Sequence, residues 1–210
     1  MVLLLKNQAY LKMITFLWNE RYFFYKEKDG LLVTTTSSIK HFYFSNENHM
    51  KTFSETEWKQ YEQYFFKAAE VAKQATCERS KCGCVIVKDW KIIGQWFNSP
   101  AKDFESQRRC TCDKRSYDFK VTDKTCCIHA EQRAMFDTLR HHPDEIIDSE
   151  LFFIRLDSDW NMSKAWDPYC TICSKMALDL WVKYFYLRHE KWITCYDTQE
   201  YNTLSYQYKW

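Results

Sequence analysis

The spacing of apolar residues predicts alternating helices and strands from residue 54 onward. Segments with helical periodicity and segments rich in β-branched and aromatic residues follow one another in the order helix, two strands, helix, strand, helix, two strands. The predicted helices cover residues 54–75, 129–140 and 171–180, and the predicted strands cover residues 83–88, 91–94, 150–156, 182–188 and 193–197. This order indicates an α/β fold, a three-layer sandwich in which helices flank a central mixed sheet of about five strands.

Two local signals mark the beginning of the first predicted helix. Ser54 and Glu57 have the spacing of a capping box, and Phe53 and Trp58 have the spacing of a hydrophobic staple. Both signals fix the start of a helix, so we place the beginning of the main domain near residue 50. This domain comprises residues 50–210.

Whether residues 1–49 belong to the native protein is considered separately from the main domain. They are rich in Leu, Tyr, Phe, Asn and Lys but follow neither a helical nor a strand period, and they precede Met50, which is itself a plausible start. One interpretation is an N-terminal extension that packs on the sheet. The other is a reading frame begun too far upstream, in which case these residues are not part of the native protein. The sequence leaves both open.

The composition indicates one globular domain with a short appendage. Of the 210 residues, 46% are hydrophobic, which is enough for a sizeable core. No segment reaches the roughly 18 apolar residues of a membrane span, and Lys6 interrupts the apolar start before the core of a signal peptide is complete. The ten cysteines, without an export signal, favour reduced thiols and metal ligands over disulfides. We therefore expect a cytoplasmic protein without membrane contact.

Two short motifs carry metal-binding chemistry. His129-Ala130-Glu131 opens the second predicted helix, and Cys170 and Cys173 flank the start of the third. His129 and the two thiolates supply three zinc ligands and leave the fourth tetrahedral position open, which is typical of a catalytic site. Zinc at such a site lowers the pKa of a bound water toward about 7. Glu131, two residues from a ligand, is placed to transfer the proton of that water.

These motifs resemble the H-x-E and P-C-x-x-C signature of the cytidine and deoxycytidylate deaminase superfamily. In the family a proline directly precedes the first cysteine, whereas here Tyr169 separates Pro168 from Cys170. The C-x-x-C pair itself is intact. A structural zinc knuckle is the alternative interpretation, but it would usually take a fourth Cys or His ligand and would leave Glu131 without a role.

The resemblance implies a hydrolytic deaminase that uses zinc as its cofactor and Glu131 as its catalytic residue. The implied zinc ligands are His129, Cys170 and Cys173. It also implies that Asn98 approaches the sugar of the substrate, although an ordinary turn residue before Pro100 is the alternative. Two further residues are candidates for substrate contact: Ala130 and Tyr169, the latter at the base unless it belongs to the core.

A long insert, residues 101–127, separates the second predicted strand from the zinc-binding helix. It is similar to the insert of deoxycytidylate deaminases and unlike the shorter cytidine deaminases, which favours dCMP as the substrate. Its basic residues are candidates for contacts with a 5′-phosphate, although a charged loop is often only solvated: Arg108, Arg109, Lys114 and Arg115. Four cysteines are candidates for a second, structural zinc site: Cys82, Cys110, Cys112 and Cys126. Buried thiols without a metal are the alternative.

The sequence therefore predicts deamination of a cytosine nucleotide, dCMP to dUMP, with release of ammonia. The alternatives are deamination of a free nucleoside or of a purine or pterin base, editing of a nucleic acid, and a deaminase-fold module that binds a nucleotide without converting it. The net charge is only +2, and no basic stripe follows the chain, so nucleic acid is the weaker partner. We expect a small-molecule nucleotide substrate and a homo-oligomer.

The chain has 3 glycines and 9 tryptophans, whereas an average usage of about 7% would give roughly 15 glycines. Some of the tryptophans occupy turn positions that favour glycine, such as Asp89-Trp90 between two strands and Trp181 after a helix. We hypothesise that a UGA codon read by the cell as glycine was translated as tryptophan at six positions: Trp90, Trp96, Trp160, Trp166, Trp181 and Trp192. The alternative is a protein that is rich in Trp and poor in Gly.

Overall fold

The computed structural model describes residues 23–27, 30–34, 39–42, 50–121 and 123–209, and the chain divides into two compact units, Met1–Asn48 and His49–Trp210. The first unit contains an antiparallel sheet in the order β1-β2-β3. Its strands are β1 (Phe23–Glu27), β2 (Gly30–Thr34) and β3 (Ile39–Phe42). The sequence analysis predicts no element here, because the apolar residues of this segment lack a regular period.

The second unit contains every helix and strand predicted from the sequence, with boundaries that differ by at most four residues. The helices are α1 (Glu55–Ala72), α2 (Ala130–His141), α3 (Thr171–Asp179) and α4 (Thr198–Ser205). The strands are β4 (Lys51–Phe53), β5 (Lys81–Lys88), β6 (Lys91–Phe97), β7 (Ser99–Pro100), β8 (Cys127–Ile128), β9 (Glu150–Leu156), β10 (Met162–Ser163), β11 (Tyr184–Arg188) and β12 (Ile193–Asp197).

The strands of the second unit form a mixed seven-stranded sheet. Its order is β4-β12-β11-β9-β5-β6, and β10 pairs with the end of β9. β9 and β11 run parallel, with Phe152 opposite Tyr186, and the other neighbouring strands run antiparallel. The predicted fold class is confirmed, and the sheet is larger than predicted because β4 and β10 are short additions at its margins.

Alternating side chains divide the core between the two faces of this sheet. On β5, Cys84 and Ile86 face a core that includes residues of α2, α3 and α4. Val85 and Val87, one position away, face the core that α1 covers. Burial of a Val or Ile side chain stabilises a fold by about 1.5–3 kcal/mol, so a strand that is apolar on both faces belongs in the centre of a sandwich.

Two glycines allow helices to lie close to the sheet. A Cβ atom at Gly83 would stand 2.0 Å from the carbonyl oxygen of Ala68 in α1, and one at Gly94 would stand 2.0 Å from Oγ1 of Thr138 in α2. Neither distance is compatible with a side chain, so these positions require glycine for space rather than for backbone freedom.

The predicted start of α1 is confirmed. The backbone N–H of Ser54 donates to the Glu57 carboxylate at 3.0 Å, and Phe53 and Trp58 both pack in the core beneath α1. The sequence analysis missed α4, although Asp197 carries a signal for it: its carboxylate caps the helix by accepting the Gln199 N–H at 2.9 Å. In the described part of the chain, no helix combines the length and apolar character needed to cross a bilayer.

Candidate metal centre and active site

The predicted zinc ligands lie together, and we call His129, Cys170 and Cys173 the metal centre. Nδ1 of His129 lies 3.2 Å from Sγ of Cys173 and 3.3 Å from Sγ of Cys170, and the two sulfur atoms are 3.1 Å apart. Both cysteines are buried and the histidine is partly buried. Tetrahedral zinc with bonds of about 2.0–2.3 Å needs ligand atoms within about 4 Å of one another, so this triangle fits one ion.

The starts of two helices position these ligands. His129 is the N-cap of α2, and its backbone N–H donates to Oε1 of Gln132 at 3.3 Å. Cys170 is the N-cap of α3, and its sulfur accepts the backbone N–H of Cys173 at 3.4 Å. Hydrogen bonds from the Cys173 side chain and from His129 lower the pKa of the Cys170 thiol to about 4. The lowered pKa favours the thiolate of Cys170, the form that binds a metal.

Glu131 lies in the first turn of α2 and is only 4% exposed. Burial raises the pKa of its carboxyl group to about 7, although the neighbouring His129 acts in the opposite direction. A carboxyl group whose pKa lies near neutrality can accept a proton in one step and return it in the next. Its position beside the metal centre is that expected of a proton-transfer residue.

Asn98 is buried between β6 and β7 and its amide group holds the start of β5. Its Oδ1 accepts the backbone N–H of Cys82 at 2.9 Å, and its Nδ2 donates to the carbonyl of Ser80 at 2.9 Å. An amide nitrogen carries two hydrogens, so one donor remains for another partner. The side chain therefore keeps a donor that the predicted substrate contact could use, and it also has a structural task that was not predicted from the sequence.

One cavity is lined by Glu131 and by the residues predicted to bind the substrate. Its wall includes His129 of the metal centre together with Asn98, Ala130 and Tyr169. The Tyr169 ring contacts the Trp166 ring edge to face, with the ring centroids 5.5 Å apart. Phe153 also borders the cavity, and the sequence analysis missed it. The available signal was its position on β9, where Leu151 and Phe153 face the core that α2 also lines.

Basic side chains border the same cavity on the side of the insert. They are Arg79, Arg109, Lys114 and Lys124. Arg109 donates to the carbonyls of Ser106 and Arg108, and Nζ of Lys124 donates to the carbonyl of Tyr117 at 3.2 Å. No hydrogen bond to another described residue fixes Lys114. The wall of the cavity thus combines a buried carboxyl group with four basic side chains.

Arg108 and Arg115, the two other arginines predicted to contact phosphate, lie outside the cavity wall. Arg115 forms an ion pair with Asp113 at 3.0 Å. The Arg108 guanidinium donates to both oxygens of Glu105 and to the carbonyl of Thr76 at 2.7 Å. The Glu105 carboxylate and the guanidinium form an ion pair with one distance of 2.5 Å. Arg108 therefore ties the insert to the segment after α1, whereas Arg109 borders the cavity.

A second group of sulfur atoms lies under the insert, and we call Cys77, Cys110, Cys126 and Cys127 the thiol cluster. The Cys110 sulfur lies 3.3 Å from that of Cys126 and 3.6 Å from that of Cys127. The sulfur atoms of Cys77, Cys110 and Cys127 all lie within 4.8 Å of one another. Burial opposes ionisation of Cys110, but hydrogen bonds from the Glu78 backbone and the neighbouring thiols lower its pKa to about 7.

The thiol cluster differs in membership from the predicted second zinc site. It contains Cys110 and Cys126 as predicted, but Cys77 and Cys127 join them in place of Cys82 and Cys112. The Cys82 thiol instead lies 3.0 Å from Oγ of Ser80. The short pair of β7 and β8 explains the difference, because it closes the base of the insert and brings Cys127 back beside the segment that follows α1.

Comparison with known proteins identifies the chain's relatives. The family model of the cytidine and deoxycytidylate deaminase zinc-binding region matches residues 58–187, which include the metal centre and Glu131. The match extends over well more than half of the chain. No curated protein sequence matches the chain significantly.

Two solved structures are among those to which the chain is similar. The dCMP deaminase of cyanophage S-TIM5, solved with dCMP and dUMP, is 25% identical over 60% of this chain and 77% of that one, with a TM-score of 0.42. RibD of Acinetobacter baumannii is 20% identical over 61% of this chain and 28% of that one, with a TM-score of 0.35.

Proposed function

Because the chain belongs to the cytidine and deoxycytidylate deaminase family, we propose that it is a zinc-dependent hydrolytic deaminase of a cytosine nucleotide. The proposed reaction converts dCMP and water to dUMP and ammonia: a C4–O bond forms and the C4–N bond breaks. Residues 50–210 are the proposed deaminase domain and residues 1–49 the proposed extension.

One observation carries this proposal: the buried carboxyl group of Glu131 shares a cavity with His129, whose ring lies within 3.3 Å of the sulfur atoms of Cys170 and Cys173. A structural zinc site usually takes four protein ligands and has no use for an adjacent buried carboxylate. Burial of an ionisable carboxyl group such as Glu131 costs stability, and groups with such perturbed pKa values cluster at functional sites. The pairing of Glu131 with the metal centre therefore supports hydrolysis over a purely structural metal.

The residues of the cavity have separate tasks in the proposed reaction. The metal centre would hold zinc, which when bound lowers the pKa of water and supplies a nucleophile near neutral pH. Glu131 accepts one proton from that water and donates it to the ring nitrogen N3, and then accepts the second water proton and donates it to the leaving amine, which departs as ammonia. The remaining donor of Asn98 orients the sugar. Phe153 and Tyr169 border the base and limit access of bulk water.

The basic side of the cavity supports a nucleotide over a nucleoside as the substrate. A phosphate group carries about −1.5 to −2 charges at pH 7 and accepts charge-assisted hydrogen bonds. Arg79, Arg109, Lys114 and Lys124 line the cavity. Their hydrogen bonds go to neutral carbonyl groups, so a neutral nucleoside would leave their positive charge without an anionic partner. The 5′-phosphate of dCMP would meet this charge.

We also propose that the thiol cluster binds a second, structural zinc ion. Four thiolates are a common ligand set for closed zinc sites. Arg79 supports this arrangement, because its Nε donates to the Cys110 carbonyl at 2.5 Å and its terminal nitrogen donates to the Cys112 carbonyl at 3.1 Å. A metal at this place would fix the insert and with it the basic side of the cavity.

Replacement of Glu131 tests the proposed function. We expect Glu131→Gln to retain zinc and to lose about 10²- to 10⁴-fold in kcat, because the amide cannot transfer the proton. The measurement is ammonia release from dCMP, CMP, deoxycytidine, cytidine and single-stranded DNA, with the zinc content of each preparation determined in parallel.

The matched control is Glu70→Gln, which makes the same chemical change on the exposed face of α1. It should leave ammonia release and zinc content unchanged. Equal activity of Glu131→Gln and the unmodified enzyme would exclude the proton-transfer role. No ammonia release from any substrate by the unmodified, zinc-loaded protein would favour a nucleotide-binding module. Faster turnover of single-stranded DNA than of every monomer would exclude the free-nucleotide proposal.

A further inference from the structure

Three tryptophans adopt a backbone conformation that is usually adopted by glycine in turns. The φ angles of Trp90, Trp160 and Trp181 are 67°, 67° and 60°. This left-handed region is unfavourable for residues with a Cβ atom, and bulky residues are rare in it. We propose that these three residues are glycines in the protein that the cell makes. The printed tryptophans would then be UGA codons that the cell reads as glycine.

Trp90 is the second residue of a two-residue hairpin turn. Asp89 and Trp90 connect Lys88 of β5 to Lys91 of β6, which face each other in register. Both turn residues have positive φ, 47° and 67°, as in a type I′ turn. The preferred sequences for this turn are Asn-Gly and Asp-Gly, since Asp tolerates the first position and glycine suits the second. Glycine at position 90 would complete the Asp-Gly pair.

Trp160 is the left-handed residue of a different hairpin loop, the one that joins β9 to β10. Its backbone N–H donates to the carbonyl of Asp157 at 3.2 Å, and the N–H of Asp157 donates to the carbonyl of Asn161 at 3.0 Å. These two bonds describe a type I turn followed by a residue that forms a G1 bulge. Glycine is the residue that this bulge position favours.

Trp181 terminates α3 at the C′ position. The N–H of Val182 donates to the carbonyl of Ala177 at 3.0 Å, and the N–H of Trp181 donates to the carbonyl of Leu178 at 3.1 Å. This pair of bonds, six-to-one and five-to-two, is the Schellman motif. Its C′ residue is left-handed and is usually glycine. Three unrelated turn motifs thus place tryptophan where each of them favours glycine.

The side chains supply no compensating contacts of the kind that hold a strained residue. The exposed fractions of Trp90, Trp160 and Trp181 are 64%, 49% and 69%. The Trp90 ring stacks at 6.2 Å from Tyr61, and Nζ of Lys81 lies 5.8 Å from the Trp160 ring. The hydrogen bond from Tyr64 reaches only the backbone carbonyl of Trp90, which glycine would keep.

The encoded glycines show the opposite pattern. Among the residues that the structure describes, seven non-glycine residues have positive φ and no glycine does. Gly83 and Gly94 are present where a helix leaves no room for a side chain. Three of the seven residues with positive φ are tryptophans, and a reassigned codon used for some glycines would account for these three. The other four are Asp or Lys residues: Asp89, Lys102, Asp103 and Asp148.

The structure supports only part of the six-residue hypothesis. Trp96, Trp166 and Trp192 have no left-handed φ. Trp96 shows a different misfit, because its buried Nε1 has no hydrogen-bond partner. Trp166 stacks under the guanidinium of Arg155 at 4.2 Å, and the Trp192 ring contacts that of His189. The proposal is therefore confined to positions 90, 160 and 181.

The direct test is to identify the amino acid at each of the three positions. Protein isolated from the cells that carry the gene is digested, and the peptides that contain positions 90, 160 and 181 are sequenced by mass spectrometry. We expect glycine at all three, with UGA as the codon in the gene. Tryptophan in these peptides, or UGG at the three codons, would overturn the proposal.

A second test measures the backbone cost in recombinant protein. The triple variant W90G/W160G/W181G should fold more stably than W90A/W160A/W181A. Both variants remove the indoles, but only glycine relieves the left-handed conformation, by roughly 5- to 30-fold per site in the folding equilibrium constant. Trp58→Gly, in the helix α1, should have the opposite effect and lower the stability. Equal stability of the glycine and alanine triple variants would contradict the argument, and this comparison holds even where the chain with three tryptophans is insoluble.

Discussion

The metal centre and the thiol cluster both consist of possible zinc ligands, but different structural elements hold them. The ligands of the metal centre occupy the first turns of α2 and α3, which the packed core holds in place. The thiol cluster takes its sulfurs from the segment after α1, the insert and the two-residue strand β8. Ligands at the starts of packed helices are held rigidly, which suits a site whose fourth coordination position must stay open. Ligands on loops are ordered by the metal when it binds.

The second difference lies in what surrounds each group. The metal centre offers three ligand atoms with the buried Glu131 beside it, whereas the thiol cluster offers the mutually close sulfurs of Cys77, Cys110 and Cys127, with that of Cys126 3.3 Å from Cys110. An adjacent acid favours chemistry at the metal, and a site built only from thiolates favours structure. The thiol cluster and His129 of the metal centre border the same cavity. The comparison therefore predicts that loss of one abolishes catalysis while loss of the other loosens the wall of the cavity.

The largest effect is expected when the metal centre is broken. Cys173→Ser should reduce deamination of dCMP by at least about 10³-fold, because the ion that supplies the nucleophile is lost with its ligand. Zinc content, measured by atomic emission, should fall by one ion per chain. The control is Cys195→Ser, which alters a buried cysteine of β12 that belongs to neither group. Retention of full activity by Cys173→Ser would show that the metal centre has no catalytic role.

An intermediate effect is expected when the thiol cluster is broken. Cys110→Ser should remove one of two zinc ions and lower the stability by about 3 kcal/mol, equivalent to a fall in Tm of about 6–12 °C for a domain of this size. The kcat for dCMP should change only a few-fold, since Glu131 and the metal centre are untouched. A wild-type content of one zinc per chain that Cys110→Ser leaves unchanged would remove the second site.

The smallest effect is expected at the basic side of the cavity. Lys114→Ala should lower kcat/KM for dCMP about 10-fold, the value of one charge-assisted hydrogen bond, and leave deoxycytidine unaffected. Lys120→Ala is the matched control, because Lys120 lies in the same insert and its ammonium faces the Phe119 ring. Parallel losses with both substrates would mean that Lys114 supports the fold of the insert rather than a phosphate.

The parts of the molecule that the sequence predicted are those with local causes. The helices that carry His129 and Cys173 follow from apolar spacing and helix-start signals within a few residues. β4 could not be predicted in this way, because three residues pair with β12 about 140 positions further along the chain. The membership of the thiol cluster depends on the same kind of distant pairing, since β7 and β8 decide that Cys127 approaches Cys110. The order of residues along the chain does not by itself indicate that Cys127 lies close to Cys110.

The glycine at position 94 has a consequence for the accuracy of the metal centre. Gly94 lets β6 lie against Thr138, about 12 Å along α2 from the end that carries His129 and Glu131. A methyl group at position 94 would force the helix outward and tilt its first turn relative to α3. Displacement of a catalytic group by about 1 Å can cost about 10²-fold in rate. The precision with which His129 and Glu131 are placed relative to α3 thus depends on the contact between Gly94 and Thr138, which lies far from the metal ligands.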